Sequence, residues 1–456
     1  MVKRLIVYLL CVALAHATDY PFDGTLGGYY TASLSAVDGD TITCTVDTAT
    51  WNAAGGNPSV AQGVVIRGKQ PGGTTIHVGS NNPSPALFFQ GDRASIKDFH
   101  FIMDVGGKTL FRITADGSHF TNITYDSVSG ANYFMDFEGV TRALVESCTI
   151  NTVDGSEEPV FARGPTNSWQ TASTLGTANA LYFENCTFTG AGYVCDINAN
   201  GRAVFRFCTI TGAQKIDGHG LTTNTPARSV RHMEIYGNNW TTTASNWIAI
   251  EVRGGTAMIF KNTAPSSGNI PRFFLSDYAY QGGPYANYSN VLQTPALYPL
   301  PDQIGVGIDP KAAASEPAYV WSNLQNGTTW TRTLHTATSA EATAYGSAFD
   351  DSDVIKPNRD FFADAGFSTS TGVQVGTKAT MLASSPSVVG QGWWVTDEAS
   401  WNTTLPANTS GQLYAWSGSA WVLKYTPYTY PHPLRSGIAS TNHLSGAIRG
   451  LTGQTN

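Results

Sequence analysis

The sequence predicts an all-β solenoid, and three observations carry that prediction. First, six short stretches lie over one another: NITYDSV at 122–128, LVESCTI at 144–150, LYFENCTF at 181–188, VFRFCTI at 204–210, MEIYGNNW at 233–240 and MIFKNT at 258–263. With Asp126, Cys148, Cys186, Cys208, Asn238 and Asn262 set equivalent, the steps are 22, 38, 22, 30 and 24 residues. The short steps are one coil and the long ones a coil carrying a loop, the signature of stacked units that share one core. Second, a further set of alternating strands falls between these. Third, only 13% of residues are charged, and 47 are glycine, a balance that suits a turn-rich β-protein.

The chain opens with Lys3 and Arg4, an apolar run from Leu5 to Ala15, and Ala15-His16-Ala17 as a small-x-small site. This reads as a secretory leader over 1–17, cut before Thr18, and predicts a secreted protein, extracellular or periplasmic. The run is too short to span a bilayer, and no later segment is long and apolar enough, so no membrane association is expected. The net charge of −7, without a basic stripe, argues against nucleic acid. Of six cysteines, Cys11 lies in the leader. Cys44, Cys148, Cys186, Cys195 and Cys208 remain, an odd set. Three of them hold one place in successive coils and are expected to pack as small buried hydrophobes.

Residues 18–60 read as an N-terminal cap, with Asp38-Gly39-Asp40-Thr41 as a turn entering a strand and Thr48-Ala49-Thr50-Trp51 following. The coils are assigned to 61–335, interrupted by insertions at about 154–177 and about 217–229 that are expected to be side loops. Residues 336–456 lose the period. Their one clear signal is a hairpin of Gly411 to Trp416 and Ala420 to Tyr425 around Ser417-Gly418-Ser419. This β-rich region is expected to cover the C-terminal end of the solenoid, its tryptophans and tyrosines packing a core and His432 packing among them. Glu146, Glu184 and Arg206 form an outward row read as structural charge pairing.

Strand alternation fixes which residues leave the core in the second set of strands: 133–139, 159–164, 193–198, 215–220 and 247–255. Phe137, Ala162, Ile197, Gly218 and Val252 face inward. Two outward rows flank them. One is Asp136, Phe161, Asp196, Asp217 and Glu251; the other is Glu138, Arg163, Asn198, His219 and Arg253. Most are charged in a chain poor in charge, so they form one polar strip along the solenoid. Carboxylates on neighbouring coils, about 5 Å apart, raise each other's proton affinity. Asp196 and Asp217 are therefore the expected acid/base pair, with His219 as auxiliary base. Arg163, Asn198, Glu251, Arg253 and Arg231 are expected to bind substrate, the arginines through a carboxylate. Asp136 and Glu138 are the expected ligands if Ca²⁺ takes part; otherwise no cofactor is expected.

Early DGDT (38–41) with TATW (48–51), the rungs ending in Cys or Asn followed by Thr, EIYGNNW (234–240), RGGTAMIFKNT (253–263), PDQIGVG (301–307) and YTPYTYPHPL (425–434) resemble pectin-lyase-like, right-handed parallel β-helix proteins. More narrowly they resemble a group of secreted bacterial β-helix repeat proteins. The resemblance implies a right-handed parallel β-helix and admits polysaccharide lyases, glycoside hydrolases and non-catalytic surface proteins. The strip is also similar to that of polygalacturonases. Gly218-His219-Gly220 matches, Asp196 stands 23 residues before His219 and Arg253 stands 34 after it. It departs from them in having no Asn-Thr-Asp, a single aspartate at 196, and Gly-Gly after Arg253. Arg228-Ser229-Val230-Arg231-His232 is arginine-rich like the catalytic strand of some pectate lyases, without their proline pattern. The resulting expectation is a monomeric carbohydrate-active enzyme that hydrolyses a linear, uronate-containing polysaccharide. A calcium-assisted lyase and a glycan-binding protein are the alternatives.

Overall fold

Each coil pairs in parallel with the next, and the strands collect into three faces. The computed structural model describes residues 17–52, 58–128, 130, 132–153, 155, 157–166, 168–220, 228–241, 248–265, 272–273, 302–307, 315–329, 355–364, 372–404 and 410–436. The expected leader, apart from its last residue, and the tip of the second insertion lie outside them.

Face 1 runs from Asp19–Phe22 and Thr41–Cys44, through Ala143–Glu146, Leu181–Glu184, Arg202–Arg206, His232–Tyr236 and Thr256–Phe260, to Ala318–Trp321 and Phe361–Ala363. Face 2 runs from Thr48–Trp51 and Thr74–Val78, through Thr149–Asn151, to Leu324–Gln325. Face 3 runs from Ser59–Val60 and Leu87–Phe89, through Thr109–Ile113, Tyr133–Glu138 and Val160–Arg163, to the distal halves of Thr187–Asn198 and Thr209–Gly218 and then Ile250–Val252. The protein is a parallel β-helix. Its coils run past both ends of the expected 61–335 range. Four strands of the supposed cap already pair into the faces, and Phe361–Ala363 extends face 1. The N-terminal end is closed by a helix, Leu26–Ser33, which buries Leu26, Tyr29 and Ala32 on the first coil. Its N-cap Thr25 accepts from the Gly28 N–H at 3.0 Å. Two adjacent glycines, poor helix formers, hide this helix in the sequence.

In the coils between Ser95 and Gln325 one residue makes the bend from face 1 to face 2, and it is left-handed each time: Asp98, Asn122, Ser147, Asn185, Phe207, Gly237, Lys261 and Ser322. The residue after the bend points inward and builds a ladder. The thiols of Cys148, Cys186 and Cys208 reach the carbonyls of Phe120, Val145 and Phe183 at 3.8, 3.5 and 3.4 Å. Asn238, Asn262 and Asn323 continue the column. Asn238 Nδ2 donates to Asn262 Oδ1 at 3.0 Å, and Asn262 Nδ2 donates to Asn323 Oδ1 at 2.9 Å. Their buried amides are thereby satisfied, which an isolated buried amide would not be. All five described cysteines are free and buried. The first rung corrects the expected ladder. Asp126 pairs with Asn151 and points out, and the coil places Ile123 after its bend residue.

The described residues of the C-terminal region flank the solenoid and do not cap its end. Its four strands, Val373–Gly376, Gly392–Val395, Gln412–Trp416 and Trp421–Tyr425, lie on the outer side of face 1. Trp394, Trp401, Leu413, Tyr425 and Tyr430 pack there against Tyr182, Val204, Tyr236, Met258, Phe260, Tyr319 and Trp321. The expected hairpin is present. His432 is buried against the Tyr182 and Tyr428 rings.

A carboxyl is buried in this contact. Glu234 accepts from Gly176 N at 2.8 Å and from the Tyr425 hydroxyl at 2.6 Å. Burial pushes its pKa from 4.5 up to about 7, against the opposing pull of these two donors and Arg206. A carboxyl with a raised folded-state pKa contributes its stability below the unfolded value and loses it as pH rises through the folded one. The protein is therefore expected to lose up to about 3 kcal/mol between pH 5 and pH 8 through this group. Urea midpoints across that range should fall for the native chain. They should fall less for Glu234→Gln, which has no charge to acquire. Parallel curves for the two proteins would remove Glu234 from the account.

Candidate functional site

The outer side of face 3 carries the strip. Register pairs Asp136 with Phe161, Phe161 with Asp196, Asp196 with Asp217 and Asp217 with Glu251. Phe137, Ala162, Ile197, Gly218 and Val252 form the matching inward row, all of them buried. In the second outward row Glu138, Arg163 and Asn198 are aligned by the same pairings. His219 and Arg253 continue it through backbone bonds to Ile197 O at 2.8 Å and Gly218 O at 2.9 Å. One β-bulge interrupts the face, between Tyr193 and Cys195. The extra residue re-aims the strand, and the half-buried Tyr193 ring lies 4.6 Å from the Lys215 ammonium.

Most charges in the strip neutralise one another. Asp217 is fully buried and clamped by Arg253, whose Nη2 and Nε donate to its two oxygens, the Nε bond measuring 3.2 Å. Lys215 Nζ stands 3.6 Å from Asp217 and also bonds Glu251. Burial works against the Lys215 charge, but Asp217 and Glu251 outweigh it and hold the ammonium above its ordinary pKa. Asp136 accepts from Arg112 Nε at 3.1 Å and from Arg163 Nη2.

Two carboxyls differ. Among the described residues, neither Asp196 nor Glu158 forms an ion pair. Asp196 is 3% exposed. Its Oδ2 accepts from Asn198 Nδ2 at 3.3 Å, and its Oδ1 is buried without a hydrogen-bond partner. Burial first, then the negative charges of Asp217 and Glu158, push Asp196 well above the ordinary carboxylate range. Glu158, half-buried just before the strand Val160–Arg163, is raised by burial and then by Asp217. His219 moves the other way: burial and then the Arg253 cation lower its pKa, so the ring is neutral near pH 7. Its Nδ1 lies 3.0 Å from Gly220 O.

Three expectations change. Asp217 cannot be a free acid or base, because it is buried and held by two cations; it acts on Asp196 through its charge. Arg231 lies apart from the strip, fully buried, bonded to Trp169 O and Thr171 O and to Glu316 at 2.8 Å. It holds the 168–171 loop against the solenoid. Asp136 and Glu138 do not fit Ca²⁺, since two guanidiniums already occupy the Asp136 oxygens. Among the described residues no cluster of three or more His, Cys, Asp or Glu is placed to hold a metal. Sequence reading missed Lys215, Tyr193 and Glu158. Lys215 was within reach, since it stands two residues before Asp217 and shares its face. Tyr193 depends on a bulge, and Glu158 precedes its strand, so alternation points to neither.

No protein-family model matches the chain, and no curated protein does. Among solved structures the chain is similar to an alginate lyase from Paenibacillus sp. str. FPU-7, at 16% identity and a TM-score of 0.40, over 57% of this chain and 98% of that one. It is also similar to a rhamnogalacturonan lyase, at 13% identity and a TM-score of 0.41, over 56% of this chain and 76% of that one. Likenesses this distant carry no residue correspondence.

Proposed function

We propose that the protein is a secreted enzyme that cleaves an acidic polysaccharide on face 3, with Asp196 as proton donor to the glycosidic oxygen. One observation carries the reading: in a strip where the other aspartates are matched by cations, Asp196 is left without one and with an orphaned oxygen. Such a carboxyl holds its proton more tightly than an ordinary aspartate, as a general acid must. Coils spaced about 4.8 Å apart present side chains in series, an arrangement suited to a linear polymer.

For hydrolysis the base is Glu158, the second unpaired carboxyl. Two such groups in one field titrate as a pair, one protonated and one ionised. Glu158 takes a proton from water as its oxygen attacks the anomeric carbon, and Asp196 gives its proton to the departing sugar oxygen. The neutral His219 supports a second reading, β-elimination. There the ring accepts the proton beside the sugar carboxylate, and Asp196 again protonates the leaving oxygen.

The test is a reducing-end assay on polygalacturonate, alginate and rhamnogalacturonan, read together with the ultraviolet absorbance of unsaturated products. New reducing ends without absorbance support hydrolysis; both together support elimination. No release from any acidic polymer would leave a glycan-binding protein and end the enzymatic reading.

A further inference from the structure

The outward row of face 3 holds two aromatic side chains, Phe88 beside Arg112 and Phe161 among the acidic residues, and Phe161 is the one next to Asp196. Phe161 occupies the outward row between Asp136 and Asp196, yet it is only half-buried. A ring left half-buried there gains only part of the burial energy that a core position would give it. Two neighbours shape its surroundings. Tyr133, also half-buried, stands edge-on to it, with ring centroids 5.5 Å apart and planes at 88°. The Arg163 guanidinium carbon lies 5.5 Å from the Phe161 centroid.

Arg163 carries the second observation. Its side chain is 31% exposed. Its Nη2 donates to Asp136, while its Nε is buried without a hydrogen-bond partner. A guanidinium has five donors in a planar fork that matches a carboxylate. Asp136 does not depend on Arg163 alone, because Arg112 also donates to it. Arg163 can therefore turn part of its fork to a ligand without stranding a buried charge.

We propose that Phe161, Tyr133 and Arg163 form a uronate-binding subsite one coil to the N-terminal side of Asp196. The apolar face of a pyranose ring stacks on Phe161 beside Tyr133, and the sugar carboxylate pairs with Arg163. The proposal rests on the reading that face 3 takes a polysaccharide, and it names acidic sugar as what the face selects. It also gives Phe161 a function: an aromatic platform orients the sugar, and the neighbouring arginine checks its charge.

The test separates binding from cleavage. The full chain with Asp196→Asn, which cannot donate the proton, is run in native gels containing polygalacturonate, alginate or a neutral galactan. Retardation is expected with the two acidic polymers, weakened by salt, and not with the galactan. Adding Phe161→Ala or Arg163→Ala should weaken retardation about tenfold each. Arg163→Lys should fall between, since an ammonium keeps the charge and loses the fork. Both positions are part-exposed, so unchanged thermal midpoints should accompany these losses. Equal retardation of all variants, equal retardation by galactan, or no retardation by any polymer overturns the subsite. Native protein that binds in this pattern yet releases no sugar refutes the cleavage reading and leaves the subsite standing. Cleavage with unaltered KM in the Phe161 and Arg163 variants does the reverse.

Discussion

Asp196→Asn is expected to lower kcat by about 10²- to 10⁴-fold, the usual contribution of a positioned general acid. The amide keeps the shape of the carboxyl and its contact with Asn198, but it has no proton of the right acidity to give. The fold should not suffer. The Asp196 carboxyl has a raised proton affinity in the folded state. Its contribution to stability is therefore present below the ordinary aspartate value of 3.8 and lost as pH rises through the folded value. At neutral pH the native chain bears that cost and the Asn variant does not, so its thermal midpoint should be unchanged or higher. Asp217→Asn provides the contrast. It removes the strongest negative charge acting on Asp196 and leaves Arg253 and Lys215 with Glu251 as their remaining carboxylate. The proton affinity of Asp196 should drop, and the alkaline limb of the kcat profile should move to lower pH. A merely structural role for Asp217 would cost stability without moving that limb. If Asp196→Asn keeps full activity on a polymer that the native enzyme cleaves, the proton donor lies elsewhere.

Much of this site was legible because a strand has a period of two. Once the Cys148-Cys186-Cys208 column was read as interior, the rows through Phe137 and Asp136 followed, and the observed pairings match them residue for residue. The ladder failed only at Asp126. There one strand, Ser118–Ser127, runs through the bend, and no thiol or amide marks the inward position that Ile123 takes. What alternation cannot supply is partnership. It placed seven charges on one side of the sheet but not which of them cancel. That distinction, which demotes Asp217 and leaves Asp196 alone, depends on side-chain reach between coils. Arg231 failed for the same reason, as its partners come from the loop at 169–171 and from Glu316. The flanking C-terminal sheet did leave a trace. The strands Leu181–Glu184, Thr256–Phe260 and Ala318–Trp321 are apolar at both parities, as strands covered on both sides should be. The outward-facing Tyr182, Met258, Phe260 and Trp321 were the visible half of that contact.

Arg206→Met is expected to destabilise the protein by about 3–5 kcal/mol, the range for breaking a buried ion pair. Arg206 is fully buried between face 1 and the C-terminal flank. Its Nε donates to Glu184 at 2.7 Å, its Nη1 to the Tyr236 hydroxyl at 2.9 Å and to Tyr428 O at 2.6 Å, and its Nη2 to Thr429 O at 2.8 Å. The guanidinium also lies over the rings of Tyr182 and Tyr430, at 4.8 and 5.1 Å. Methionine fills part of the volume but meets none of these acceptors. Glu184 keeps Arg435, 3.0 Å away, which should hold the loss inside that range. Two carbonyls of the flank would be left buried and unpaired. Because those carbonyls lie more than two hundred residues further along the chain, the first consequence should be loosening of the flank. Urea unfolding followed by tryptophan fluorescence, which reports chiefly on the flank and the face beneath it, should show the lower midpoint, and limited proteolysis should cut first within 372–436. The double variant Arg206→Met/Glu184→Met should regain much of the loss, because two apolar side chains leave no lone buried charge between them, and Arg435 retains Glu146 at 2.6 Å. A single-variant loss below about 1 kcal/mol, the level of an exposed pair, would mean that the aromatic contacts alone hold the flank to the solenoid.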